Sequence, residues 1–523
     1  MLRQRIFLTI FILLLGITSF PKGNAKNPIL LLVTNTGFGS YTEEILKTEG
    51  FNEFKTDSLS GISVSLKYLQ NFDLVILGKT TVTPAQKEML SEYVNAGGNL
   101  ISFMPDSQLS QLFGIKYSNC KFSEGYIAVD TNSVFCVGIS SQKMQIHGLA
   151  GKYILDQGKI IAKRFVEKDE KNILPGVVSN TYGKGHTVAF LYNLPQSIVY
   201  TRQGNPISAG IEKDGITGIR GMDLFTDGWV DTTKNTLNQA DQQMALLTGC
   251  IQNLSGFTKP LPRFWYFPDT LKCLAVLDND GEDNKEADFE QQLIDIDAKG
   301  AKMTIYIKDV EKISKSWAEK WTAKGFEISG HPDDTGEAGN PQWKTMDSAL
   351  AVQNWKIESK FGEKVRTNVN HWFVWCGRDE NGNQDFAAQA RLEEKNGIEM
   401  DGNYAFYDMN SNQPEHYLGS LGTNQGNYTG SGFVMKYASQ TGSIINVYQR
   451  YNAIYDQQYN ESHDPEGFFQ AFKGIVDRSL YSDIFSIVSI KSHNNEYYFS
   501  KEPLMKMLDY ANTKKVPVWT AIK

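Results

Sequence analysis

The chain has 523 residues, too many for a single hydrophobic core, and this length predicts two or three domains of ~100 to 200 residues each. A composition of 41% hydrophobic and 21% charged residues is typical of a folded globular protein and excludes an intrinsically disordered chain. The formal net charge of -7 is small, and the sequence contains no basic stripe, so nucleic acid is excluded as a partner.

The first 25 residues have the layout of a secretory signal peptide. Arg3 and Arg5 precede an apolar run over residues 6–17, and small residues stand shortly before Lys26. This run is too short to span a bilayer comfortably, and no other stretch of the sequence reaches the ~20 apolar residues of a membrane helix. We therefore expect an exported protein, periplasmic or extracellular, without an integral membrane segment after signal removal. An uncleaved N-terminal anchor is the alternative.

Strands and helices alternate in the first predicted domain, residues 26–255. The apolar and amphipathic runs predict strands at 29–34, 72–78 and 100–104 and helices at 41–50 and 83–96. Thr83 is a good N-cap and Pro84 a good first residue for the second helix. This alternation predicts a parallel sheet with right-handed crossovers, while residues 116–200 read as short strands and turns that complete it.

The pattern DLVILG followed by GGNLISFMP, over residues 73–105, resembles the amidotransferase-like or flavodoxin-like domains of many exported sugar-related proteins. The resemblance implies a flavodoxin-like parallel-sheet domain with inserted or trailing strands. Catalytic members carry a nucleophilic cysteine on a Gly-x-Cys-x-Gly elbow, which this sequence lacks. A module that binds a small ligand or a partner is the open alternative for this domain.

Residues 256–268 give the clearest domain boundary. Prolines at 260, 262 and 268 flank the aromatic run RFWYF, and together they disfavour a helix and hold an extended linker. We expect these aromatic side chains to pack the two domains together, with ligand binding as the alternative. Residues 269–523 then form the second domain.

Strand and helix alternate again in the second domain, which predicts a (β/α) barrel, complete or incomplete. The polar side chains that end or follow its strands are Asp278, Asp280, His331, His371 and His493. Because the carboxyl ends of barrel strands meet on one face, we expect these groups to converge. Carboxylates and imidazoles in one cleft suit a divalent metal, usually zinc, and the hydrolysis of an amide or ester.

The order of these residues resembles the polysaccharide deacetylase family, carbohydrate esterase family 4, over about residues 263–523. The sequence LDNDG at residues 277–281 is similar to the family's first motif, TFDDG. This match implies that Asp278 is the catalytic base and Asp280 a metal ligand. The sequence GFEISGH is similar to the second motif and implies that His331 is the first metal histidine.

The second motif is incomplete, because Thr335 stands where the family has its second metal histidine. We expect His371 to take that place, with Asp333 or Asp334 as the alternative. The missing histidine also favours a second hypothesis, in which the chain is a catalytically degenerate carbohydrate-binding or scaffolding protein.

The remaining family positions match residues later in the chain. Arg366 corresponds to the third-motif arginine that orients the base, and His493 to the last-motif histidine that acts as general acid. Trp372 and Trp375 are expected to form a wall on which a sugar stacks. The resemblance thus implies a secreted deacetylase that acts on an N- or O-acetylated carbohydrate with a divalent metal, usually zinc.

Overall fold

A computed structural model describes residues 27–34, 36–61, 64–166, 173–213, 215, 217–257, 259–333, 339–405, 428–461 and 463–523. The predicted signal peptide, Asp334 and Thr335 lie outside these ranges. Within them the chain is a mixed α/β protein built on two large sheets, each with a parallel part. None of its described helices combines the length and the apolar character needed to cross a bilayer.

The first half of the chain forms a nine-stranded sheet. Its strands are β1 (Ile29–Val33), β2 (Phe54–Ser58), β3 (Leu74–Leu77), β4 (Asn99–Phe103), β5 (Ile115–Val129), β6 (Met144–Leu155), β7 (Lys159–Phe165), β8 (Leu174–Tyr182) and β9 (Gly185–Phe190). Its helices are α1 (Thr42–Thr48), α2 (Leu66–Leu69), α3 (Pro84–Asn95), α4 (Leu194–Gln203) and α5 (Gln239–Gly256). The strand order is β2-β1-β3-β4-β9-β8-β7-β5-β6, parallel from β2 to β9 and antiparallel beyond.

Two local predictions for this half can be compared with the structure. Helix α3 begins as expected, with a capping box in which Thr83 and Gln86 satisfy each other's backbone N–H groups. The short strands expected over residues 116–200 are instead long, since β5 has 15 residues and β6 has 12. Register shifts interrupt the β5–β6 pairing, so the alternation of apolar and polar residues is broken and the sequence reads as several short segments.

The second half forms a ten-stranded sheet. Its strands are β10 (Cys273–Gly281), β11 (Thr304–Ile307), β12 (Glu327–Gly330), β13 (Thr367–Asn368), β14 (Met400–Ala405), β15 (Met435–Ala438), β16 (Ile444–Asn452), β17 (Ile454–Tyr455), β18 (Ser486–His493) and β19 (Val518–Trp519). Its helices are α6 (Glu286–Ala298), α7 (Lys315–Thr322), α8 (Trp343–Phe361), α9 (Ala388–Lys395), α10 (Asp456–Glu461), α11 (Pro465–Tyr481) and α12 (Tyr497–Lys514). The order is β15-β16-β14-β13-β12-β11-β10-β18-β17, and β19 pairs with β10. Among the described strand pairs of this second sheet, only β15–β16 is antiparallel.

This second sheet is strongly curled. Strands β16 and β18 are six steps apart in the sheet order, which at about 4.8 Å per step would separate them by about 29 Å if the sheet were flat. Arg450 on β16 nevertheless donates from Nη1 to Ser489 Oγ on β18 at 2.5 Å. No pairing joins β15 to β17 among the described residues, so full closure of the barrel stays a prediction.

The two halves contact each other through the linker and through the β15–β16 hairpin. Tyr266 of the linker stacks on Phe433 with ring centroids 4.8 Å apart and donates its hydroxyl to Glu49 at 2.8 Å. Tyr41 at the start of α1 donates to the carbonyl of Lys436 on β15 at 2.6 Å. Aromatic linker residues therefore do join the two halves, as the sequence predicts for this segment.

Candidate functional site

Three side chains converge beyond the carboxyl ends of strands β10, β12 and β13 in the second sheet. Glu282 directly follows β10, His331 directly follows β12, and His371 lies three residues beyond β13. Glu282 Oε1 is 3.2 Å from His371 Nε2 and 3.8 Å from His331 Nε2. The candidate ligand atoms of these three residues all lie within 4.8 Å of one another.

Both imidazoles are oriented by contacts on the ring nitrogen that faces away from Glu282. His331 Nδ1 lies 2.7 Å from the backbone carbonyl of Val369, which can only accept, so Nδ1 carries the proton. His371 Nδ1 lies 3.2 Å from Asp333 Oδ2. A hydrogen bond such as that of His331 orients a metal-binding histidine and increases its basicity, whereas His371 Nδ1 has an ion-pair contact without a hydrogen bond among the described residues.

Glu282, His331 and His371 supply donor atoms of the types that bind a divalent metal ion. His331 is 1% exposed and its Nε2 has no hydrogen-bond partner among the described residues. The distances of 3.2 and 3.8 Å from Glu282 lie within the ~4 Å that two ligands can span when each is about 2 Å from one ion. Burial opposes ionisation of Glu282, yet the nearby imidazoles of His331 and His371 lower its pKa far below the usual range.

Asp280 occupies a different position from the one predicted. The sequence reading makes it the partner of His331 and His371, but Glu282 takes that place. Asp280 Oδ1 instead pairs with Lys491 Nζ at 2.7 Å, and Oδ2 lies 3.9 Å from His493 Nε2. Burial works against the ionised form of Asp280, but the positive charges around it, Lys491 foremost, lower its pKa.

Asp278 is held in a fully buried ion-pair cluster. Its Oδ2 is 2.5 Å from Arg450 Nη2, and its Oδ1 is 3.1 Å from Lys491 Nζ. Both carboxylate oxygens of Asp278 are therefore held by cations, whereas Asp280 pairs with Lys491 through Oδ1 and turns Oδ2 toward His493. The prediction that Asp278 is the catalytic base is corrected on this ground, and Asp280 is the acid of the strand that faces the site.

His493 forms a buried dyad with Asp456. His493 Nδ1 lies 2.7 Å from Asp456 Oδ1, and the backbone N–H of His493 donates to Asp456 Oδ2 at 2.7 Å. Burial alone would lower the pKa of His493, but the charge and hydrogen bond of Asp456 outweigh it and raise the pKa to about 9. The other ring nitrogen of His493, Nε2, lies 3.9 Å from Asp280 Oδ2.

Two further predicted site residues lie elsewhere. Arg366 forms an ion pair with Glu399, and its side chain is 45% exposed; Arg450, not Arg366, contacts Asp278. Trp375 is 1% exposed and packs edge-on against Tyr404, so no sugar can stack on it. These placements correct the predictions for Arg366 and Trp375.

Trp372, in contrast, lies at the site. It is 57% exposed, and its ring centroid is 5.8 Å from that of His371. An exposed indole beside a polar cleft suits contact with a ligand. The stacking role of Trp372 stays a prediction.

The sequence analysis assigns no role to Glu282, Asp456, Arg450 or Lys491. For Glu282 a signal is present, because it directly follows the strand that carries Asp278 and Asp280. Arg450 on β16 and Asp456 at the start of α10 meet the site only because the second sheet curls. No local pattern predicts that pairing.

Comparison with known proteins gives distant likenesses only. No family model matches the chain, and no curated protein does. A cold-adapted beta-galactosidase from Rahnella sp. R3 is 16% identical with a TM-score of 0.27, over 32% of this chain and 29% of that one. A beta-galactosidase from Bacillus circulans sp. alkalophilus is 10% identical with a TM-score of 0.27, over 33% of this chain and 30% of that one.

A putative ThuA-like protein from Bacteroides uniformis is 12% identical with a TM-score of 0.30, over 46% of this chain and 96% of that one. The chain thus spans less than a third of the length of the two galactosidases. TM-scores of 0.27 to 0.30 do not define a shared fold, and function follows from the site rather than from the fold.

Proposed function

We propose that the chain is an exported, metal-dependent hydrolase that removes acetyl groups from a carbohydrate. The observation that carries the proposal is that two groups of side chains lie together at one end of the second sheet. Glu282 and two histidines form a ligand set, and beside it Asp280 faces the Asp456–His493 dyad. A ligand set, a carboxylate and a protonated imidazole are the parts that hydrolysis of an amide or ester needs.

Each residue then has a role in the reaction. A divalent ion such as zinc, bound by Glu282, His331 and His371, would supply a Lewis acid for the acyl carbonyl. Asp280 Oδ2 accepts a proton from the attacking water, whose oxygen forms the new bond to the acyl carbon. His493 donates its Nε2 proton to the leaving nitrogen or oxygen as the old bond breaks, and acetate and the free amine or alcohol leave.

A carbohydrate is the favoured substrate because of the aromatic surface next to the ligand set. Trp372 exposes 57% of its surface beside His371. An indole presents a flat, apolar face to the C–H groups of a sugar ring and leaves the hydroxyl groups of the sugar in water. In the proposed enzyme the curled sheet is a deacetylase-type barrel, and the first half is an amidotransferase-like or flavodoxin-like domain.

Acetate release tests the proposal. Purified chain with added zinc is incubated with a hexamer of N-acetylglucosamine and with an O-acetylated xylohexaose, and acetate is measured. We expect release from at least one of them, lost on Glu282→Ala and kept on Arg366→Ala, a variant of the exposed ion pair. Release that is equal in the wild type and in Glu282→Ala contradicts the proposal.

One observation favours the alternative of a carbohydrate-binding protein without turnover. Lys491 neutralises both Asp278 and Asp280, which weakens the basicity of the only acids on β10 that the structure describes. This alternative predicts that the same oligosaccharides bind, measured by tryptophan fluorescence, without acetate release under any metal. Acetate release would reject it.

A further inference from the structure

A segment of the first half crosses to the site of the second half. Residues 217–220 form backbone hydrogen bonds with two positions that follow site residues in the sequence. The N–H of Ile219 donates to the carbonyl of Gly339, eight residues after His331, at 2.8 Å. The N–H of Trp375, in the loop that follows His371, donates to the carbonyl of Ile219 at 2.8 Å. We call residues 217–220 the bridging segment.

Two glycines make the close approach of the bridging segment feasible. A Cβ atom on Gly218 would lie 2.9 Å from the carbonyl oxygen of Gly339, and one on Gly339 would lie 2.8 Å from Cα of Gly218. Both glycines also have positive φ, +110° and +58° respectively. The contact between the two halves is therefore a specific fit of backbone against backbone.

Arg220 is the buried side chain of the bridging segment. It is 6% exposed, and its Nε donates to the carbonyl of Trp372 at 2.9 Å. Its Nη1 and Nη2 donate to the carbonyls of Gly218 and Thr217, each at 3.1 Å. One guanidinium thus ties the bridging segment to the residue that follows His371.

The carbonyl that Arg220 binds belongs to a strained backbone. Trp372 and Phe373 have φ values of 59° and 54°, in the left-handed region that bulky residues rarely adopt. Phe373 is anchored, because it is 8% exposed and packs in a cluster with Met222 and Tyr455. Strain of this kind persists only where surrounding contacts enforce it, and it concentrates at functional sites.

We propose that Arg220 is a positioning residue of the site, which holds Trp372 in its left-handed conformation so that the indole stands beside His371. The inference rests on the proposed function and adds a part to it. The first half of the chain completes the substrate-binding wall of the second half, so the two halves form one enzyme.

The first variant, Trp372→Asn, tests the strain and the wall separately. Asparagine tolerates positive φ, so the urea midpoint of unfolding is expected to rise, a readout that needs no substrate. The value of kcat/KM for the oligosaccharide that the wild type deacetylates is expected to fall about tenfold more than that for 4-nitrophenyl acetate, mainly through KM. Trp355→Asn, at another exposed tryptophan that is 68% accessible, is the matched control. It should leave kcat/KM unchanged for both the oligosaccharide and 4-nitrophenyl acetate.

The second variant, Arg220→Lys, keeps the charge but lacks the fork that binds three carbonyls. If Arg220 acts through Trp372, the Arg220→Lys substitution raises KM for the oligosaccharide. The KM of the double variant, Arg220→Lys with Trp372→Asn, then stays within about twofold of that of Trp372→Asn alone. A purely structural role would lower the turnover of both substrates equally, and independent effects would multiply in the double variant. Either of these results overturns the inference.

The same experiment separates failure of the inference from failure of the proposed function. If the wild-type protein hydrolyses neither substrate, the proposed function is overturned, and so is the inference that Trp372 forms part of a substrate-binding wall. Hydrolysis of both substrates with an unchanged KM for the oligosaccharide in Trp372→Asn overturns the inference alone.

Discussion

Asp456 accepts the Nδ1 proton of His493 at 2.7 Å and thereby turns Nε2 of the imidazole toward Asp280. The carboxylate stabilises the protonated ring, whose pKa rises to about 9. A histidine in this state is an acid that is charged at neutral pH and can donate a proton when a bond breaks. His493 thus faces Asp280, whereas His331 and His371 face Glu282.

Asp456→Asn should move the alkaline limb of the pH profile of kcat. Without the carboxylate the pKa of His493 falls from about 9 toward or below the ordinary ~6.5, so activity is lost at lower pH. The raised pKa also adds stability that is complete below about pH 6.5 and is lost as the pH rises through about 9. The profile of kcat from pH 5 to 10 checks this, and an unmoved alkaline limb would contradict the role of His493.

Asp278→Asn and Asp280→Asn should fail in different ways. Asp278→Asn leaves Arg450 and Lys491 with one fewer buried counter-charge, which costs on the order of 3 to 5 kcal/mol of stability. Asp280→Asn should lower kcat by about 10²- to 10⁴-fold in a protein that still folds. Urea unfolding and turnover are measured on both. A stable, inactive Asp278→Asn together with an active Asp280→Asn would restore Asp278 as the base.

Arg366→Ala should have little effect. Its ion pair with Glu399 is exposed on both sides, 45% and 42%, and exposed pairs contribute about 0 to 1 kcal/mol. Turnover and the urea midpoint are expected to stay close to the wild-type values. A large fall in kcat without loss of stability would show that Arg366 does act on the site.

A second buried acid pair, outside the site, should make stability depend on pH. Burial and the nearby charge of Asp401 raise the pKa of Glu393, and burial raises that of Asp401 to about 6. Raised acid pKa values favour the neutral form in the fold, so this stability is present below about pH 4 and is lost as the pH rises through about 6. Glu393→Gln should flatten the dependence of the unfolding free energy on pH between pH 4 and pH 7, and an unchanged slope would contradict the raised pKa of Glu393.

Much of the architecture follows from sequence patterns, because periodicity and caps act locally. Thr83 and Pro84 mark the start of α3, and the apolar run of β10 leads to the acids of the site. Which of those acids can belong to the ligand set depends on its position along the strand. Asp278 lies inside the sheet and pairs with Arg450, while Glu282 lies past the last strand residue. That position is set by the curl of the whole sheet, which no local pattern encodes.

The family motifs likewise predict some positions in the structure and miss others. The order of His331, His371 and His493 predicted which histidines come to one end of the sheet, and the structure brings all three there. Arg366 matched its motif by order alone, and the curl of the sheet brings Arg450 to Asp278 instead. Residues that match a family by sequence position therefore need their contacts before they are given roles.

The most direct test of the account is a zinc titration by calorimetry on chelator-treated protein. One zinc ion per chain is expected for the wild type and for Asp280→Asn, and Glu282→Ala and His371→Ala should each lose tight binding. This pattern follows if Glu282, not Asp280, completes the ligand set. Zinc binding that survives Glu282→Ala but is lost in Asp280→Asn would contradict it.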